Sequence, residues 1–131
     1  MTQLTEVQKE AVRNGAMNAL AHVSEAETDG FIASMREARS GTKALASLPE
    51  PLREMITGDA IEPEGYEHPA GDTMQDYVAA ALDALAAGAP ELIEPFATGV
   101  MHACEAVAAT VKGVSQKEQV ALDEVRAALQ R

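Results

Sequence analysis

Aromatic residues are almost absent from this chain, which has no tryptophan and in which 3% of the 131 residues are aromatic. Residues that favour strands are therefore scarce, whereas alanine, the best helix former, dominates an apolar content of 47%. Small side chains also let helices approach one another closely. We predict from this composition an all-α domain with a thin, alanine-rich core.

Cysteine is nearly absent as well, because Cys104 is the only one and an internal disulfide is excluded. Cys104 lies in the apolar run GVMHACEAVAATV. Two interpretations are open, a buried small hydrophobic residue or a reactive thiol. The apolar neighbours favour the buried residue.

Basic residues are few, with 10 Lys and Arg against 21 Asp and Glu and a net charge of −11. A protein that binds nucleic acid needs a basic face to neutralise phosphates, and adhesion to anionic membranes needs the same. Both classes of partner are therefore disfavoured. The charge suits solubility or attraction to a basic protein.

Long hydrophobic runs are also missing, since no stretch approaches the roughly 20 apolar residues that a membrane-spanning helix needs. The N-terminal MTQLTEVQKE has neither the basic nor the apolar region of a signal peptide. We predict a cytoplasmic protein with no membrane contact.

The hydrophobic periodicity predicts that residues 1–131 form a single compact bundle of five to six helices. Pro95 should kink its helix or begin it afresh, because proline lacks the amide donor. The predicted helices are Thr5 to about His22, a second that starts between Ser24 and Asp29 and ends near Ser40, a short one over PLREMI that closes at Gly58, one from Asp72 as its cap to Gly88, one from Pro90 to Gly113, and a last one that starts at the Ser115 cap.

One long acidic loop, about residues 58–72, interrupts this pattern with two Pro, three Gly and five acidic residues. Loops of this length in compact domains are either functional or solvated connectors, and the composition favours a connector. Tyr66 and His68 are its only side chains of the kind that recognise ligands.

The stretch VSEAETDGFIASMRE raises the question of a cation site. With Gly30 at the sixth position of a calcium loop, Glu25, Glu27 and Asp29 occupy the first, third and fifth positions. The twelfth position, which needs a bidentate Glu, is then Arg36. We interpret the stretch as a helix junction, and a calcium site remains the alternative.

The segments DGFIASMRE and VSQKEQVALDEV resemble helix junctions and closing helices of TerB-like domains from bacterial tellurite-resistance proteins. The resemblance covers these two stretches, and the loop 58–72 has no counterpart in it. It implies an all-helical fold and a carboxylate-bound metal ion.

Two His-x-x-Glu motifs occur, His22 with Glu25 and His102 with Glu105. Residues three apart share a helix face, so each pair could ligate one divalent metal ion. With Asp29, these four residues are the candidate metal ligands. The competing interpretation is that they are solvated polar faces of an acidic protein.

No catalytic signature is present: the chain has no Gly-x-Ser-x-Gly turn, no phosphate-binding Gly-x-x-x-x-Gly-Lys loop and no Gly-x-Gly-x-x-Gly turn. We predict no catalytic residues and no required cofactor. The favoured hypothesis is a non-catalytic module that binds a protein or self-associates. The alternatives are a bundle that binds a metal or a small ligand, and an enzyme whose site combines helix faces with the long loop.

Overall fold

The computed structural model describes residues 4–25, 45, 48–57, 62–108 and 116–130. Within them the protein contains five α-helices, one 3₁₀ turn and no strand, which confirms the predicted all-α bundle. The elements are α1 (Glu6–Glu25), α2 (Glu50–Thr57), α3 (Met74–Gly88), the 3₁₀ turn (Pro90–Leu92), α4 (Ile93–Ala108) and α5 (Gln116–Leu129).

Helix α1 begins directly after Thr5, the predicted start of the first helix. The Thr5 hydroxyl accepts a hydrogen bond from the Gln8 amide at 3.1 Å, and the Gln8 side chain accepts one from the Thr5 amide at 2.8 Å. This reciprocal box satisfies two amides that have no partner inside the helix. From there α1 packs against all four other helices and forms the centre of the bundle.

Gly15 lets α1 approach α3 closely. A Cβ added at Gly15 would lie 2.5 Å from the Cβ of Ala81 and 3.0 Å from the Tyr77 carbonyl oxygen. Carbon atoms in contact normally lie about 3.5–4.0 Å apart. The glycine therefore permits an approach of the two helices that a larger residue at this position would obstruct.

The predicted cap of α3 was wrong by one residue. Thr73, in extended conformation, accepts the hydrogen bond from the Asp76 amide at 3.2 Å. Asp72 has a φ of 51° and therefore lacks the extended backbone of a cap. Its carboxylate instead accepts a hydrogen bond from Tyr77. The end of α3 at Gly88 is as predicted.

Pro95 lies in the first turn of α4, directly after the 3₁₀ turn. The first amides of a helix have no carbonyl partner within it, so a proline there removes no hydrogen bond. Of the two predicted outcomes, the structure therefore shows a helix that begins afresh.

The core is built mainly of alanine, valine and leucine, with Phe96 as its largest fully buried side chain. Cys104 is fully buried in this core and is a free thiol. This confirms the favoured interpretation of Cys104.

Several predictions fall on residues outside the described ranges. They are the second helix with its junction at Glu27, Asp29 and Gly30, the stop at Gly113 and the cap at Ser115. Among the described residues, no helix is long and apolar enough to cross a membrane.

Candidate functional site

The first His-x-x-Glu motif lies at the end of α1, where it faces α5. The Nε2 atom of half-buried His22 is 3.3 Å from the Oε1 atom of Glu124. Glu25 and Lys117 line the same open groove, which has a volume of about 370 Å³. The groove thus joins one imidazole, two carboxylates and one ammonium group, and its wall includes the apolar side chains of Val120 and Ala121.

Sequence reasoning missed Glu124 and Lys117, which no local motif distinguishes from the other charged residues of α5. They enter the groove only because α1 and α5 pack together.

The second motif lies on the outside of the bundle. His102 and Glu105 are both exposed on α4. Among the described residues, no group of three or more His, Cys, Asp and Glu side chains is arranged to hold a metal ion. The structure therefore does not gather the two motifs into one metal centre, and Asp29 lies outside the described residues.

A second cluster of polar side chains holds the described part of the long loop, residues 62–72, against α3. We call Glu62, Tyr66, His68, Asp72 and Tyr77 the loop cluster. Tyr77 donates its hydroxyl proton to the Asp72 carboxylate at 2.6 Å. The imidazole of His68 contacts the Tyr77 hydroxyl at 2.8 Å through Nδ1 and the Glu62 carboxylate at 2.7 Å through Nε2.

Tyr66 ties the same loop to α1. Its hydroxyl accepts a hydrogen bond at 3.1 Å from Asn14, which also donates to the buried Glu10. The ring of Tyr66 packs edge-on against His68 with 5.0 Å between centroids. Residues 62–72 are therefore held against two helices by side chains, and most of these residues are exposed to solvent.

The two tyrosines of this region have a raised pKa and stay protonated. The hydrogen bond to Asp72, followed by burial and the nearby charges, raises the pKa of Tyr77 to about 12. Burial raises the pKa of Tyr66, and the carboxylates of Glu10 and Glu62 act in the same direction against the Asn14 hydrogen bond. Tyr77 is thus a poor base or nucleophile at neutral pH.

The thiol of Cys104 is equally unsuited to catalysis. Burial, with a smaller contribution from the charge of Glu105, raises the pKa of Cys104 to about 12. The reactive form of a cysteine is the thiolate, which this environment suppresses.

Acidic charge is concentrated in one part of the chain, which sequence reasoning also missed. Residues 54–111 contain eleven acidic residues and no Lys or Arg. The structure describes ten of these acids, and nine are exposed. The sequence does show this feature, because no Lys or Arg occurs between Arg53 and Lys112. The net charge of the whole chain does not show how the charges are distributed.

The Lys and Arg residues that the structure describes lie outside this segment, and most of them form ion pairs within their own helix. Four of the five pair with a carboxylate three residues earlier on the same helix, which leaves Lys117 at the groove. The pairs are Lys9–Glu6, Arg13–Glu10, Arg53–Glu50 and Arg126–Asp123.

Comparison of the chain with models of known protein families, with characterised proteins and with solved structures gave no match. The resemblance to TerB-like domains therefore stays a prediction.

Proposed function

We propose that this chain is a non-catalytic protein-interaction module whose acidic surface binds a basic protein or peptide. The observation that carries the proposal is the segment 54–111, which supplies nine exposed carboxylates among its described residues and no Lys or Arg. A surface of one sign attracts an oppositely charged partner and raises the association rate.

Two parts of this segment present carboxylates to solvent. In the loop, Glu64 and Glu67 are exposed and point away from the core. On α4, Glu94 and Glu105 are both exposed. The raised pKa values of Tyr77 and Cys104 support a binding role over a catalytic one, because neither group is reactive at neutral pH.

The test is binding of a basic model peptide of alternating lysine and alanine, measured by calorimetry at low and at physiological salt. Neutralising Glu64, Glu67 and Glu94 to glutamine should weaken binding about tenfold, since three exposed ion pairs contribute ~0.5 kcal/mol each. Affinity should also fall as salt screens the charges.

The matched control neutralises three carboxylates outside the segment: Glu6→Gln, Glu50→Gln and Asp123→Asn. Each of these pairs with a cation on its own helix. Both triple variants change the net charge equally, from −11 by three units. Equal loss of binding in the two variants would contradict a localised surface. A dimer detected by sedimentation, with no peptide binding, would favour self-association instead.

A second candidate function is the binding of a small organic amine in the groove between α1 and α5. It is favoured by the meeting of His22, Glu25 and Glu124 from two helices, since carboxylates accept hydrogen bonds from an ammonium group. The apolar wall of the groove suits the carbon chain of such a ligand.

Thermal melting with n-butylammonium tests this candidate, and melting with calcium, magnesium or manganese tests the metal-binding alternative predicted from the sequence. A ligand that binds only the folded state stabilises it by mass action and so raises the melting temperature. At a ligand concentration one hundred times the dissociation constant, the free energy of unfolding increases by about 2.7 kcal/mol. A response lost in His22→Ala and kept in His102→Ala assigns the ligand to the groove. A metal response lost in Asp29→Ala would favour the calcium-loop alternative.

A further inference from the structure

The dipeptide Asn14-Gly15 in α1 can undergo a reaction that needs no enzyme. In a flexible chain, the backbone nitrogen of the residue after an asparagine attacks the Cγ atom of the asparagine side chain. The bond from that nitrogen to Cγ forms, the bond from Cγ to Nδ2 breaks, and the amide proton leaves with ammonia. Water then opens the resulting succinimide at one of its two carbonyl carbons, which gives either an aspartate or an isoaspartate.

The residue after the asparagine sets the rate of this ring closure. Glycine has no Cβ, so its nitrogen is approached without obstruction and its backbone reaches the required conformations. The chain contains two asparagines, Asn14 before Gly15 and Asn18 before Ala19. The methyl group of alanine hinders the attack. In an unfolded chain, Asn14 is therefore the more reactive of the two.

The folded protein holds the reacting groups of Asn14 and Gly15 in place. The Nδ2 atom of Asn14 donates to the Glu10 carbonyl oxygen at 3.0 Å, to the Glu10 carboxylate at 3.1 Å and to the Tyr66 hydroxyl at 3.1 Å. Gly15 is buried inside α1, where each backbone amide donates to the carbonyl four residues earlier. Its nitrogen can reach Cγ only after rotation about the ψ of Asn14, away from the helical value of about −42°. Ring closure therefore requires that α1 first opens at this point.

Opening is rare at this position because α1 lies at the centre of the bundle. The helix packs against all four other helices of the described chain, and Gly15 lies directly against Ala81 of α3. Segments with many buried contacts open with free energies close to that of global unfolding. The open form is therefore on the order of one molecule in a thousand or fewer.

Both products of the reaction destabilise the closed helix. An isoaspartate carries the main chain through the former side chain, which adds one carbon atom to the backbone and interrupts the helical hydrogen bonds. An aspartate places a carboxylate where Nδ2 now donates to Glu10, whose own side chain is 6% exposed. The two adjacent carboxylates repel each other, and Glu10 loses a donor.

We propose that Asn14 is a deamidation site that reacts only when α1 opens, and that its products keep the protein from returning to its parent structure. A chemical step of this kind makes a reversible opening irreversible, so the lifetime of the native protein depends on how often α1 opens. A ligand or partner that binds only the closed bundle protects the site by mass action. This inference does not depend on the proposed function.

The first test compares deamidation rates in the folded and the unfolded protein. The full chain is held at neutral pH with and without denaturing guanidinium chloride, and the peptides that contain Asn14 and Asn18 are then quantified by mass spectrometry. Asn14 should react at least about a hundredfold more slowly in the folded protein than in denaturant. Equal rates at Asn14 in the two conditions would overturn the proposal.

The matched variant for the chemistry is Gly15→Ala, measured in denaturant so that its effect on folding does not enter. Both asparagines then precede an alanine, and the rate at Asn14 should fall to that at Asn18. In the parent chain under the same conditions, Asn14 should react faster than Asn18. An Asn14 that is no faster than Asn18 in the unfolded parent would overturn the proposal.

The consequence is tested by hydrogen exchange of the α1 amides. Asn14→Asp is the aspartate product made directly, and Asn18→Asp is the control with the same change of charge on the same helix. The α1 amides should exchange about tenfold faster in Asn14→Asp than in Asn18→Asp, and equal exchange would contradict the clash with Glu10. Isoaspartate chains separated after denaturation and returned to buffer should lose the protection of α1. If these chains were protected as well as the unmodified chain, the proposal would be overturned.

Discussion

Helices α1 and α3 approach one another at Gly15, and a methyl group placed there has no room. Gly15→Ala would put its Cβ 2.5 Å from the Cβ of Ala81, 3.0 Å from the Tyr77 carbonyl oxygen and 3.5 Å from the Cα of Val78. Backbone atoms and an alanine methyl cannot rotate away as the end of a long side chain can. The two helices must therefore separate by about 1 Å to restore ordinary contact distances.

Two opposing effects determine how Gly15→Ala changes the free energy of unfolding. Overpacking a well-packed interface costs about 1–3 kcal/mol. Replacing glycine by alanine inside a helix contributes about 1 kcal/mol of stability through its helix propensity. Because the obstacles at Gly15 are rigid, we expect the upper half of the first range and a net destabilisation of about 1–2 kcal/mol.

A double-mutant cycle measured by urea unfolding isolates the steric term. Adding Ala81→Gly removes the nearest obstacle, so the double variant should be more stable than the sum of the two single effects by about 1 kcal/mol. The matched control is Ala86→Gly, at an exposed position of α3, which should be additive with Gly15→Ala within about 0.5 kcal/mol. If Gly15→Ala were as stable as the parent or more stable, the close approach of α1 to α3 would be refuted.

Three other predictions rest on buried groups. Leu82→Ala should cost about 2–4 kcal/mol in urea unfolding, because Leu82 is 4% exposed, and a midpoint equal to that of the parent would contradict its place in the core. Cys104 should react with a thiol reagent only as the protein unfolds, and fast labelling of the native protein would contradict its burial. Tyr77 should ionise near its raised pKa of about 12 in an ultraviolet titration, and the stability that it contributes should be complete below about pH 10 and lost as pH rises through about 12. Tyr77→Phe should remove this alkaline loss.

The sequence was sufficient for most of the local structure. Periodic apolar residues and the predicted start at Thr5 indicated where helices run and where α1 begins, since these features act within one or two turns. For Pro95 the sequence left a kink and a new start open, and the structure shows a new start. The cap of α3 was predicted one residue early because Asp72 and Thr73 are both good caps, and the backbone at Asp72 excludes it.

The tertiary structure decided which distant residues meet. His22 shares a groove with Glu124 and Lys117 of α5. His102, in the second His-x-x-Glu motif, is exposed to solvent. A local spacing cannot distinguish the two, because it gives the face of a helix and not the neighbour that packs there.

The long loop shows the same division. Its composition predicted a solvated connector, since glycine, proline and acidic residues bury little apolar surface. Its described part is mostly exposed, and polar contacts that the composition did not predict join it to Tyr77 on α3 and Asn14 on α1. The sequence by itself determined an acidic all-helical protein, because composition and periodicity act locally along the chain. Only the packing of α1, α3 and α5 decided the groove and the loop cluster, because their hydrogen bonds join residues far apart in the sequence.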